Sequence, residues 1–192
     1  MTVFSTRSSA GNNLARVALA VWLALAALLA GAQGIDIRRP TVTIEADHYI
    51  LDAQFDVALT ATLEEALNKG VPLHFVLEFE LIRPRWYWFN ERVSHFHQEY
   101  RLSYNALTRQ YRLGVGNLHQ NQPTLAEALA VMSRVRRRQD VDVGTLRRDT
   151  TYVAAMRFRL DTSQLPKPFQ LNALGSREWN IGSDWYRWTV TP

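Results

Sequence analysis

From Thr41 onward, apolar and polar positions alternate with a period of two, the mark of half-buried strands. Val42, Ile44 and Ala46 share one face, and the phase then shifts across Asp47 and His48. After the shift, Tyr49, Leu51, Ala53, Phe55, Val57 and Leu59 line one face against Asp52, Gln54 and Asp56. This predicts two antiparallel strands joined by a tight turn. Thr62-Leu63-Glu64-Glu65 has capping-box spacing and Gly70 supplies a stop, so a short helix is expected over 62–69. Leu73, Phe75, Leu77, Phe79 and Leu81, alternating with His74, Glu78 and Glu80, predict a strong strand that ends at Arg83-Pro84. In the next strand Phe96, Tyr100, Leu102 and Tyr104 take one face and His95, His97, Glu99 and Arg101 the other. Asn105-Ala106-Leu107-Thr108 reads as a hairpin loop returning into Tyr111, Leu113 and Val115.

A second capping box, Thr124 to Glu127, opens a helix expected over 124–137, with Leu125, Ala128, Leu129, Met132 and Val135 at helical spacing. That places Arg134, Arg136, Arg137 and Arg138 at its C-terminal end. A strand with Tyr152, Ala154, Met156, Phe158 and Leu160 inward follows, then the proline-punctuated Leu165-Pro166-Lys167-Pro168-Phe169 and a Trp-rich strand from Trp185 to Val190. Short alternating strands joined by hairpins, with two inserted helices, indicate a mainly β fold: an antiparallel β-sandwich-like domain bearing two α-helices.

Ahead of this domain, Arg7 and Arg16 precede an apolar run from Val17 to Leu29 that ends in Ala30-Gly31-Ala32. These are the parts of a secretory signal peptide, and the run is short of the roughly 20 apolar residues of a membrane span. The expected division is a signal peptide at 1–32 and one exported β-rich domain at 33–192. No cysteine is present to carry a lipoprotein anchor. The expected location is the periplasm; an uncleaved leader would tether the same domain to the inner membrane.

Without Arg7 and Arg16, the 22 basic residues become 20 against 18 acidic, a balance of +2 that argues for no polyanionic partner. Export also separates the chain from nucleic acid. The apolar fraction of 47% and charged fraction of 21% are those of a packed globular chain. With zero Cys, thiol catalysis, thiolate metal sites and disulfides are excluded, so stability must come from packing.

Leu63-Glu64-Glu65-Ala66-Leu67 with Gly70-Val71-Pro72-Leu73, then Arg83-Pro84-Arg85-Trp86-Tyr87-Trp88 and Tyr100-Arg101-Leu102-Ser103-Tyr104, resemble a family of exported proteobacterial proteins known as a domain of unknown function, DUF4390. Leu165 to Ala173 and Trp185-Tyr186-Arg187-Trp188 resemble its closing motif. The resemblance implies a Gram-negative periplasmic protein. Through the association of such genes with those for a membrane sensor histidine kinase, it also implies an envelope protein or that kinase's periplasmic domain as partner. It carries over no activity, cofactor or catalytic residue.

Among candidate sites, His95 and His97 lie two apart on a strand and so point the same way, with Glu99 next on that face; this permits zinc or copper, and equally a solvated strand face. Glu78 and Glu80 share a face at about 7 Å, a glycosidase-like separation, but cross-strand arginines such as Arg101 would neutralise them. No Gly-x-Ser-x-Gly occurs, and Gly114-Val115-Gly116 has His119 where a third glycine is needed. The run Arg134 to Arg138, joined by Arg147, Arg148, Arg157 and Arg159, serves either to complement a helix dipole or to bind an acidic surface. Trp86, Tyr87, Trp88 and Phe89 cannot all face one core from an extended strand; with Trp179, Trp185, Tyr186 and Trp188 they form either a satellite core or a contact surface. The expected function is a non-enzymatic protein-interaction or accessory module without cofactor, using Arg134, Arg136, Arg137, Arg138, Trp86, Trp88, Trp185 and Trp188. The alternative is a ligand- or metal-binding protein using the aromatic clusters or His95 and His97.

Overall fold

The computed structural model describes residues 34–45, 47–87, 89–141, 145–147 and 149–191. The expected signal peptide, Trp88 and Arg148 lie outside the described residues. Strands β1 (Gly34–Ile44), β2 (His48–Ala58) and β7 (Arg134–Asp140) form a three-stranded sheet in the order β1-β2-β7. Strands β6 (Leu118–Gln122), β5 (Gln110–Val115), β4 (Glu91–Asn105), β3 (Leu73–Arg83), β8 (Tyr152–Leu160) and β9 (Tyr186–Val190) form a six-stranded sheet in that order. All pairings within the two sheets are antiparallel. The mainly β, two-sheet architecture expected from the alternation is the one observed.

The core lies between the sheets because each strand turns its apolar set the same way. Leu73, Phe75, Leu77, Phe79 and Leu81 on β3 are completely buried, as are Tyr49 and Leu51 on β2 and Met156 and Phe158 on β8. The rings of Tyr49 and Phe79 meet at 5.5 Å between centroids, and those of Phe55 and Phe158 at 4.9 Å. Strand β2 is therefore seated over β3 and β8. The Tyr49 hydroxyl reaches Ser94 on β4 at 3.0 Å, which satisfies a polar atom inside the apolar layer.

Three elements depart from the expected pattern. Alternation before Thr41 is hidden because the β1–β2 register shifts between Arg38 and Thr41, with Arg39 in the left-handed region at φ 47°. β1 therefore begins at Gly34. The helix expected over 124–137 is shorter: α2 (Leu125–Met132) ends at Ser133, and the arginine run is strand β7, paired with β2 from His48↔Asp140 to Gln54↔Arg134. A seven-residue ladder on the open edge of β2 outweighs the local helical spacing that Val135 completes. The proline-punctuated stretch contains a third helix, α3 (Lys167–Gly175), whose proline sits in the first turn, where its missing N–H costs nothing.

The first helix, α1 (Ala61–Asn68), starts one residue before the expected range and is capped by Thr60 in place of Thr62. Thr60 is buried; its hydroxyl accepts from the Leu63 amide at 3.2 Å and donates to the Glu178 carbonyl at 2.8 Å, tying α1 to the turn at Arg177–Trp179. The Thr62 hydroxyl makes an exposed contact with the Glu178 carboxylate. Thr60→Ala is expected to lower stability by about 1–2 kcal/mol, since a cap is lost together with the tie to the Glu178 carbonyl. Thr62→Ala is expected to stay within about 0.5 kcal/mol. Urea unfolding of both variants checks the order; the reverse order would return the cap to Thr62.

Candidate functional site

The candidate arginines are distributed by the pleat of β7. Val135, Arg137 and Gln139 lie opposite Ala53, Leu51 and Tyr49, the buried face of β2, so they point between the sheets. Arg134, Arg136 and Arg138 lie opposite Gln54, Asp52 and Ile50 and point outward. Arg138 pairs with Asp140 at 3.0 Å. Among the described residues, no carboxylate lies within ion-pair distance of Arg134, Arg136 or Arg137. The dipole-complementing role expected for these arginines is corrected here: they belong to a strand and lie beyond the end of α2.

Strand β7 is an edge strand, with β2 on one side and no strand on the other among the described residues. The three-stranded sheet covers less of its partner than six strands present. Beyond β7, the inner faces of β4, β5 and β6 form the wall of a groove of about 300 Å³. Tyr100, Leu113, Val115 and Leu118 line that wall, with Val131 of α2 and Val135 of β7 across from them. Helix α2 packs against β5, β6 and β7 and supports the groove. Arg137 lies within it, 4.6 Å from the centroid of the Phe96 ring, and donates to the Gln98 side-chain oxygen at 2.9 Å. Burial pushes the Tyr100 phenol up to about 12, against the opposing pull of the Arg137 charge, so Tyr100 stays neutral.

The outer face of the six-stranded sheet is differently organised. Glu78 receives Arg157 Nε at 2.7 Å and Arg159 Nε at 3.3 Å, and Glu80 pairs with Arg92 at 3.3 Å. The acidic pair is neutralised as expected, but not by Arg101, which faces His74 across the β3–β4 ladder. His95 and His97 lie opposite Glu80 and Glu78, and Glu99 opposite Val76. Among the described residues, no group of three or more His, Asp or Glu side chains is arranged to hold a metal ion.

The aromatic candidates do not form one surface. Trp86 is 94% exposed and packs edge-on against Tyr87 at 5.2 Å, in the connection between β3 and β4. Trp185 lies under the Arg157 guanidinium at 4.8 Å on the outer face. Trp188 points inward toward Phe79 at 6.3 Å, and Trp179 is buried against Phe169 at 5.3 Å. Among the described residues, the β3–β4 connection exposes its large aromatics most, and Tyr186 on β9 is exposed as well. Leu113, Leu118 and Tyr100 were not singled out by sequence reasoning as site residues, because only the sheet topology sets them facing β7.

The sequence matches, over residues 32–189, the family described as Domain of unknown function (DUF4390). The chain belongs to that family. No curated protein and no solved structure matches it. Among the described residues of this DUF4390 protein, no helix is long and apolar enough to cross a membrane.

His74, half-buried on β3 of the DUF4390 domain, has a lowered proton affinity. Burial, then the Arg101 charge, hold its imidazole below the usual 6.5, partly offset by Glu99 and Asp161. Between that lowered value and 6.5 the unfolded chain binds more protons than the folded one, so stability falls as pH drops through this window. His74→Gln is expected to flatten the decline. Urea midpoints between pH 7.5 and 5.5 test it, and an unchanged slope in the variant would reject the assignment.

Proposed function

We propose that this DUF4390 protein is a non-enzymatic binding module of the cell envelope, exported through its N-terminal segment, that engages a protein partner through Arg134, Arg136 and Arg138 of β7. The observation that supports this reading is the outward row itself. Three arginine positions about 7 Å apart share one face of an edge strand; Arg138 pairs with Asp140, while Arg134 and Arg136 form no ion pair among the described residues, Asp52 standing across the ladder from Arg136. Arginine is among the residue types that dominate binding energy at protein interfaces, and an unpaired strand edge adds main-chain donors and acceptors beside it. The partner proposed is an acidic surface on an envelope protein, with the periplasmic portion of a membrane sensor kinase as the specific candidate.

A catalytic reading has less support. Glu78 and Glu80, the best acid pair, are both engaged by arginines on a strand face. The metal-binding alternative at His95, His97 and Glu99 also has less support, since the facing positions offer Glu80, Glu78 and Val76 in a ladder and no convergent set.

Two chains, the wild type and Arg136→Ala/Arg138→Ala, immobilised side by side and exposed to the purified periplasmic portion of the kinase and to envelope extract, provide the test. The wild type is expected to retain the partner at low salt and release it as salt rises, and the variant to retain severalfold less. Equal retention by both chains, or none by the wild type, would remove the proposal.

A further inference from the structure

Elsewhere in this domain, an arginine drawn out of solvent is given a carboxylate. Arg83 has Glu91 at 2.9 Å, and Arg157 and Arg159 share Glu78. This is the ordinary requirement for a partly desolvated charge. Among the described residues, Arg137 is the half-buried arginine without such a carboxylate. Its guanidinium is directed between the sheets, its Nε is buried with no hydrogen-bond partner, and its neighbours are the Phe96 ring and the neutral Gln98 amide. Tyr100, beside it in the groove, is kept protonated and supplies no negative charge.

The groove around that cation is largely apolar, with Gln98, Gln120, Arg134 and Arg136 completing its lining. Tyr100, Leu113 and Val115 form its floor, Val131 and Val135 its opposite wall, and Leu118, 73% exposed, stands on the edge strand β6 at its margin. About 300 Å³ places it at the lower end of the range for small-ligand sites. A slot of this size beside a narrow strand edge does not admit a folded surface. It suits a slender apolar chain with one anionic end. The Nε is sealed within the protein, as is that of Arg83, so the terminal nitrogens of the guanidinium, one of which also donates to Gln98, are the groups that meet a carboxylate.

We propose that the groove between β7 and the inner face of β4–β6 binds a single-chain amphiphile with a carboxylate head, a fatty-acid anion, with Arg137 receiving the head and the Leu113–Leu118 side of the groove receiving the chain. The head-group position differs from the protein-partner row in direction, since Arg137 points between the sheets, although the side chains of Arg134 and Arg136 also line the groove and Arg138 does not.

The test uses the full chain purified without detergent and titrated calorimetrically with dodecanoate, dodecan-1-ol and acetate. Dodecanoate is expected to bind one to one, dodecan-1-ol at least about tenfold more weakly because it lacks the charge-assisted bonds, and acetate not measurably because it lacks the chain. Arg137→Gln is expected to bring dodecanoate down to the level of dodecan-1-ol, and Arg112→Ala, on the outer face of β5 and outside the groove, to leave it unchanged. Leu118→Asp, at an exposed position that does not threaten folding, is expected to weaken dodecanoate severalfold and carries the test if Arg137→Gln does not fold. Absence of dodecanoate binding by the folded wild type, equal affinity for the alcohol, or indifference to both variants would overturn the proposal. So would a dimer that depends on Arg137 and forms without amphiphile, which would assign the groove to a second copy. None of these results bears on partner capture through Arg136 and Arg138.

Discussion

The contact on which the rest of the structure depends is the aromatic seam between β2 and the centre of the six-stranded sheet. Tyr49 packs on Phe79, and Phe55 on Phe158, which also meets Phe75 at 5.8 Å and Tyr100 at 5.6 Å. Each such pair contributes about 0.5–1.5 kcal/mol beyond the area it buries, and several concentrated at one place fix which strand lies over which. With β2 seated there, β1 falls over β8 and β9, and β7 falls over β4. Three strands centred in this way cannot reach β5 and β6. The flank left over is partly covered by α2, and what α2 does not cover is the groove.

The same seat decides the chemistry of β7. Its register with β2 is bound to the buried face of Leu51 and Ala53, so the pleat sends Arg137 inward and its neighbours outward. A slip by one residue would exchange the two sets and bury Arg136 and Arg138 in place of Val135 and Arg137. One short strand therefore turns one face toward solvent and the other toward the groove. The outer face of the larger sheet shows the contrasting solution, in which Arg157 and Arg159 converge on Glu78 and Arg157 stacks over Trp185.

The fold was legible where one strand has one wet and one dry face. Leu73 to Leu81 alternate without interruption, and β3 is found where the alternation predicts it, with its hairpin partner in register. The hairpin at Asn105 and the cap at Thr124 were equally readable, the latter because its hydroxyl is satisfied by an amide three residues away. What escaped was non-local. Val135 is three residues after Met132 and continues a helical stripe, yet it is also one of the inward positions of β7, and only a ladder with β2, some eighty residues earlier, decides between them. Thr60 became the cap of α1 because the Glu178 carbonyl awaits its hydroxyl, a contact no local motif contains. The groove was invisible for the same reason: its residues come from four strands and a helix.

The central claim is that the arginine run is the edge strand of a narrow sheet, half turned inward, and amide hydrogen exchange along Arg134–Asp140 tests it most directly. An edge strand bonded only to β2 should show every second amide protected and the amides between them exchanging at rates close to those of an open chain. Continuous protection running from Leu125 through Arg138, as a helix gives, or uniform protection of all the β7 amides, as an interior strand gives, would contradict the account.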